Sequence, residues 1–292
     1  MVSEILRVNH VRYHTLCDDV AFHNETIHHL ITLWALGASP AAVQAMYDLN
    51  KPYQALINYH PASPVGSKTK NPAFFKECIG TLDYFEDSVR FCQDEIAEKG
   101  VPAAVNEYLL KGDELTDDIL ARLHTGFLHQ MIHLGIGLEF NQPCLVAGAL
   151  AAGRMHVAWP RDFFFSVENT FARSLICRPR NSSPISPSTA STHPTSRKAP
   201  PKSCIHTCAY ILGAAQHPDK VEAIDFVMLH IMTLGIFYPT FMAQDWITPH
   251  NKTRLLQWKA WVGDAVMYAG CGCPALYADR ITSSTPERPR GG

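Results

Sequence analysis

Histidine recurs inside the most apolar stretches of this chain, at positions where a helical protein ordinarily carries leucine. His28 and His29 lie in one such stretch, His124, His129 and His133 in a second, and His230 interrupts a third, Phe226–Met232. A buried imidazole needs a partner for each ring nitrogen, or the unpaired atoms cost free energy. Several of them, on separate apolar helices, could satisfy one another through a shared metal ion; the alternative is that each is a core histidine with its own local hydrogen bonds. A metal-centred reaction is the leading functional expectation.

The periodicity predicts an all-α fold, a bundle-like single domain, with no convincing strand pattern and no internal repeat. Val20–Ala38 is apolar nearly all round and reads as a central buried helix, ended by Gly37 and Pro40. A short helix follows at Ala41–Tyr47, then a loop at Leu56–Pro72 and an amphipathic helix over Pro72–Lys99. Another helix is expected over Pro102–Leu110. Thr116 reads as the N-cap of a helix that runs to about Gly135, so that His124, His129 and His133 share it. Pro143–Ala158 is rich in Ala and Gly and predicts a helix packed closely on a neighbour. Asp219 and Glu222 form a capping box ahead of a buried helix to about Tyr238. Thr248 and Pro249 start the last long helix, which runs to Tyr268.

The domain is expected from residues 1–160 and 204–280, separated by an irregular or disordered segment, 178–203, and followed by a frayed tail, 282–292. In Pro179–Pro201, 15 of 23 residues are Ser, Thr or Pro and none is acidic, so the segment cannot bury enough apolar surface to fold alone. A net charge of −2 gives no basic excess for nucleic acid. The start lacks the features of a secretory signal, and the most apolar run, Phe226–Met242, falls short of a membrane span. The expected location is cytoplasmic, with no membrane partner. The nine cysteines are scattered, and Cys204-x-His206-x-Cys208 and Cys271-Gly272-Cys273 do not match a tetrahedral zinc pattern.

His129 and His133 are one turn apart on a helix face, a spacing that lets two imidazoles bind one metal. The intervening residues lack the Glu of a zinc peptidase. Glu25, beside His28 and His29, suits either a metal ligand or the orienter of one. Lys259 sits on the apolar stripe of the last helix. Burial there would favour its neutral amine, which can act as a base, as a nucleophile, or as a carbamate formed with carbon dioxide. No Gly-rich phosphate loop or Gly-x-Ser-x-Gly elbow is present.

Phe22-His23-Asn24 … His28-His29-Leu30 … Ala35-Leu36-Gly37-Ala38, then Glu107-Tyr108, Arg122-Leu123-His124-Thr125-Gly126 … His129-Gln130-Met131-Ile132-His133-Leu134-Gly135 … Glu139-Phe140, resembles the questin oxidase-like family of fungal secondary metabolism. Asp225–His230 and Leu255–Lys259 resemble that family's closing helices. The resemblance implies a helical oxidoreductase that opens an anthraquinone-type polyketide with molecular oxygen. Two chemistries are implied. One is a non-haem Fe(II) site, with His28, His133 and His230 as ligands, His129 or His156 as a fourth, and Lys259 as a carbamylated ligand; Lys259 and His129 are then the catalytic candidates. The other is NADPH-dependent Baeyer–Villiger oxidation without iron. Phe22, Trp34, Phe127, Phe140 and Trp258 are expected to hold the flat substrate. Family members often carry a further His where this chain has Glu25, and they are longer. A third possibility is an inactive helical scaffold or small-molecule carrier with structural histidines.

Overall fold

The computed structural model describes residues 2–16, 23–57, 76–176, 201–216, 221 and 223–283. Among them the β-type pairings are two isolated bridges, Tyr13–Leu56 and Leu16–His23; everything regular is helical, as the periodicity predicts.

Helices α1 (Val2–Arg12), α2 (Thr26–Ala35) and α3 (Pro40–Asn50) pack on one another. The body is α4 (Phe85–Lys99), α5 (Val101–Tyr108), α6 (Glu114–Leu123), α7 (His129–Glu139) and α8 (Pro143–Met155). There follow α9 (Arg161–Ile176), α10 (Pro201–Ala214), α11 (Phe226–Gly235) and α12 (Tyr238–Ala243). Helix α13 (Pro249–Trp258) continues through a π-helical stretch, Lys259–Val266, into the short α14 (Met267–Gly270), and α15 (Ala278–Ser283) closes the described chain.

Helix α8 is the axis of the fold. It is buried from Leu145 to Met155 and packs on α4, α6 and α7. Small residues make that possible, because they let neighbouring backbones approach. A Cβ on Gly153 would fall 1.9 Å from Leu123 Cδ1 of α6, and one on Gly137 of α7 would fall 2.8 Å from the Val146 side chain. Helix α11 lies across α7 and α10, and so carries His230 toward the histidines of α7.

Several boundaries differ from the sequence expectation. Helix α2 is shorter than Val20–Ala38 and is buried on one side only: Ile27, Leu30 and Ile31 face the core, whereas Trp34 and Leu36 are exposed. The expected helix from Thr116 to Gly135 is two helices. Asp113, not Thr116, caps α6; Thr116 sits three residues in and completes the box. After Leu123 the chain makes a left-handed turn, with φ of +53° at Gly126, +51° at Phe127 and +67° at Leu128, before α7 starts at His129. His124 is therefore left behind in the core, beside Phe164 and Trp258. Asp219 and Glu222 lie outside the described residues, and the observed cap of α11 is Asp225, which accepts from the Met228 amide. The Thr248 cap and Pro249 start of α13 are as expected. Most of the Ser/Pro/Thr segment, and the tail beyond Ser283, lie outside the described residues. The run Phe226–Ala243 meets the length and composition of a membrane span, contrary to the expectation that it falls short. It is 44% buried within the protein, and His230, Tyr238 and Phe241 are among its buried residues.

Candidate metal centre

Helix α2 begins at a point held by side chains. The Asn24 amide donates to Gln54 Oε1 at 2.7 Å, and its oxygen accepts from the Thr26 backbone at 3.1 Å. This fixes Glu25, the next residue, so that its carboxylate meets α7 and α11. Glu25 Oε1 contacts His129 Nε2 directly and lies 3.8 Å from His230 Nε2, while Oε2 is 3.3 Å from His28 Nδ1.

The tautomers follow from the backbone. His129 Nδ1 donates to the Gly126 carbonyl at 2.5 Å, and His230 Nδ1 donates to the Phe226 carbonyl at 2.6 Å. A carbonyl only accepts, so both Nδ1 atoms carry the proton. Each neutral ring then presents a lone pair at Nε2. The two Nε2 atoms are 3.2 Å apart and face the same carboxylate oxygen. Three electron-pair donors within 4.8 Å of one another repel unless a cation lies among them. A proton on His129 is disfavoured: burial drives its pKa below the ordinary imidazole value, with Glu25 opposing. A divalent metal fits instead. Two ligands at about 2.1 Å from one ion, at right angles, lie about 3 Å apart, which matches the nitrogens observed. The Glu25 side chain is half exposed, so the centre opens to solvent on that side.

A second ring of residues holds the first. His28 Nε2 lies 3.3 Å from His133 Nδ1. His133 Nε2 is buried and has no hydrogen-bond partner among the described residues, and burial, with His28 and His10 beside it, holds that ring neutral. His23 stacks on His129, with ring centres 3.9 Å apart, and its Nε2 meets His156 Nε2 at 2.9 Å. Gln130 reaches the same His156 atom at 2.7 Å. A Cβ at residue 126 would fall 2.7 Å from the His23 ring and 2.9 Å from His156, so only glycine fits there. A cavity of about 20 Å³, room for one water, is lined by His10, His28, His129 and His133.

Of the residues expected to bind metal, His230 is at the centre, with His129 beside it, and His28 and His133 are one contact further out. Lys259 is placed elsewhere. Its ammonium pairs with Asp264 and donates to Cys208 Sγ at 2.9 Å, and no histidine is among its partners. Burial alone would make it the neutral amine, as expected from sequence, but Asp264, Cys208 and Cys204 outweigh burial and raise its pKa. An ammonium has no lone pair for carbon dioxide. Glu25, left open between two roles by the sequence, provides the carboxylate at the centre; its spacing from His28 was the signal.

The expected aromatic lining is divided. Phe127 is exposed 5.6 Å from the His230 ring, facing Phe226 edge-on at 5.8 Å. Trp34 and Phe140 instead line a separate, largely apolar cavity of about 350 Å³ that no histidine borders. Trp258 is a core residue stacked on Phe164, and Phe22 lies outside the described residues. The larger cavity is lined by no acid, base or histidine, so the centre, not the cavity, is the candidate site.

Comparison with known proteins gives the same direction as the sequence motifs. Residues 22–198 and 201–291 match the Questin oxidase-like family. The chain is 39% identical to an oxidoreductase, AflY, of Aspergillus parasiticus, over 99% of this chain and 66% of that protein. It is 32% identical to the Baeyer-Villiger monooxygenase dmxR6 of a Cryptosporiopsis species, over 96% of this chain and 72% of that protein. It is 29% identical to a questin oxidase of Aspergillus fumigatus, over 98% and 73%. The chain thus spans about two thirds to three quarters of the length of these relatives.

Proposed function

The chain belongs to the questin oxidase-like family, and on that premise we propose that it is an oxidoreductase of fungal polyketide metabolism that holds one Fe(II) between Glu25, His129 and His230 and opens an anthraquinone-type ring with molecular oxygen. What carries the reading is the meeting of two backbone-locked imidazoles and one carboxylate from three separate helices. Two histidines and a carboxylate with open positions are the donor set of non-haem Fe(II) oxygenases. The names of the relatives, oxidoreductase, Baeyer-Villiger monooxygenase and questin oxidase, favour oxidation of an aromatic polyketide.

Bound there, Fe(II) supplies an electron-rich site for reaction between dioxygen and the substrate. The protein's own groups do the rest. The Gly126 and Phe226 carbonyls accept from the Nδ1 atoms of His129 and His230 and so orient both rings with Nε2 toward Glu25. His28 holds the second oxygen of Glu25. His23, pinned by His156, lies flat on His129 and prevents that ring from turning. Phe127 and Phe226, exposed beside His230, offer apolar ring faces and edges to a flat substrate.

Metal analysis of the purified full chain tests the reading. The expected result is one iron per chain, lost in His129→Ala and in His230→Ala. Full iron content in the double variant would overturn the site. Iron lost in Lys259→Met but kept in Glu25→Ala would move the centre to the lysine. Substrate-coupled NADPH consumption that survives chelation would replace iron with nicotinamide chemistry.

A further inference from the structure

One cluster of reactive side chains lies apart from the metal centre and has no part in the proposed reaction. Cys204 and Cys208 sit one turn apart on α10, on one face of the helix. Their Cα atoms are about 6 Å apart by helix geometry, within the range a disulfide spans, and their Cβ atoms, about 5–6 Å apart, have to close to about 4 Å, so forming the bond bends this turn of α10. Cys208 is buried and Cys204 is partly exposed. Lys259, in the π-helical stretch, donates to Cys208 Sγ at 2.9 Å, and Asp264 pairs with Lys259 and lies 3.9 Å from the same sulfur.

We propose that Cys204 and Cys208, served by the Lys259 ammonium, form a peroxide-reactive dithiol that closes to a disulfide. Cys204 is the attacking sulfur, because a small hydroperoxide reaches it from solvent and Cys208 is covered. Its thiol is pulled down by the neighbouring Cys208 and, against burial, by the Lys259 charge. Cys208 is held as the thiol, pushed up by the neighbouring Cys204 and by burial. In the first step the Cys204 thiolate attacks one peroxide oxygen, and the O–O bond breaks. The departing hydroxide takes a proton from Lys259, giving water and a sulfenic acid. In the second step the Cys208 sulfur attacks Cys204, and the S–O bond breaks. The hydroxyl leaves as water with the Cys208 proton, and Lys259 regains its own from solvent. The two sulfurs together lose two electrons, and the peroxide gains them.

The site has a route to the rest of the fold. Cys208 packs with Met228 and Ile231 of α11, the helix that carries His230. A Cβ on Gly235 of the same helix would fall 2.9 Å from Cys208 Sγ, so any movement of that sulfur is felt by α11.

Peptide mapping by mass spectrometry after treatment of the full chain with hydrogen peroxide tests this. The expected product is a loss of two hydrogens on the peptide carrying Cys204 and Cys208, reversed by dithiothreitol. Cys208→Ser should stop at a dimedone-trappable sulfenic acid on Cys204, and Cys204→Ser should give neither product. Exposed Cys273 is the internal reference. Beside the Lys259 ammonium, Cys204 should react severalfold faster than Cys273 at pH 7. Lys259→Met should remove that advantage. Oxidation of Cys204 no faster than Cys273, or a stable sulfenic acid in the unaltered chain, would overturn the proposal. Neither outcome depends on iron being present.

Discussion

Phe127 holds a backbone conformation that suits glycine, and it does so while half exposed beside His230. A left-handed φ at a non-glycine residue costs roughly 1–2 kcal/mol, and Leu128 bears the same strain. Strain of that kind persists where the surrounding structure holds the residue in a useful place. Here the turn lifts Phe127 to the mouth of the centre and starts α7 so that His129 faces Glu25. If Phe127 serves the substrate, Phe127→Gly should relieve the strain and leave the melting temperature and iron content near those of the parent. It should raise KM for an aromatic substrate about tenfold, the worth of one lost aromatic contact. An unchanged KM would make Phe127 structural. The sequence showed the histidines but not this turn. Thr125-Gly126 was the available signal, and the apolar run on either side of it outweighed it.

At the level of elements, start signals and small-residue patterns are local properties of the sequence. Thr248 and Pro249 carry their own start signal, and the small residues of Pro143–Ala158 announced a closely packed helix. The departures have two causes. One is local competition: Thr116 is a good N-cap residue, but Asp113, three residues earlier, accepts from the Thr116 amide and starts α6 there. The other is a distant partner. Lys259 looked like a candidate for a neutral amine because its partners, Cys208 on α10 and Asp264 one π-helical turn away, are not its helical neighbours. The close approach of α8 to α6 gives a direct test of packing. Gly153→Ala should cost about 1–3 kcal/mol in urea unfolding, because the new methyl meets a fully buried Leu123. Adding Leu123→Ala to it should cost less than the two single changes together, because the methyl then occupies space the leucine vacated. Strict additivity would show that α6 and α8 do not meet at that point.

For the molecule as a whole, the same buried histidines that suit a metal make the fold sensitive to acid. His124 is fully enclosed, and burial depresses its pKa to about 4, with the Leu120 carbonyl opposing; His10 is depressed to about 4 by burial alone. In the unfolded chain both return to about 6.5. Between those values the unfolded state binds more protons than the folded one, so stability falls as pH falls. The stabilisation is complete above pH 6.5 and is lost progressively toward pH 4. Each histidine contributes about 1.4 kcal/mol per pH unit, so the two together remove on the order of 4 kcal/mol between pH 6.5 and 5. A domain stable by roughly 5–15 kcal/mol feels a loss of that size strongly. Urea unfolding of the metal-free protein at pH 7.5, 6.5 and 5.5 measures it, and removing the metal keeps ligand release out of the slope. His124→Leu, which cannot bind a proton in either state, should remove its own share of the slope, up to about 1.4 kcal/mol per pH unit, and leave the share of His10, His14, His133 and His156, whose rings burial also depresses. A stability that stays flat or rises as the solution is acidified would mean that these rings are already protonated in the fold, and the lone pairs on which a buried histidine cluster depends would not be there to bind anything.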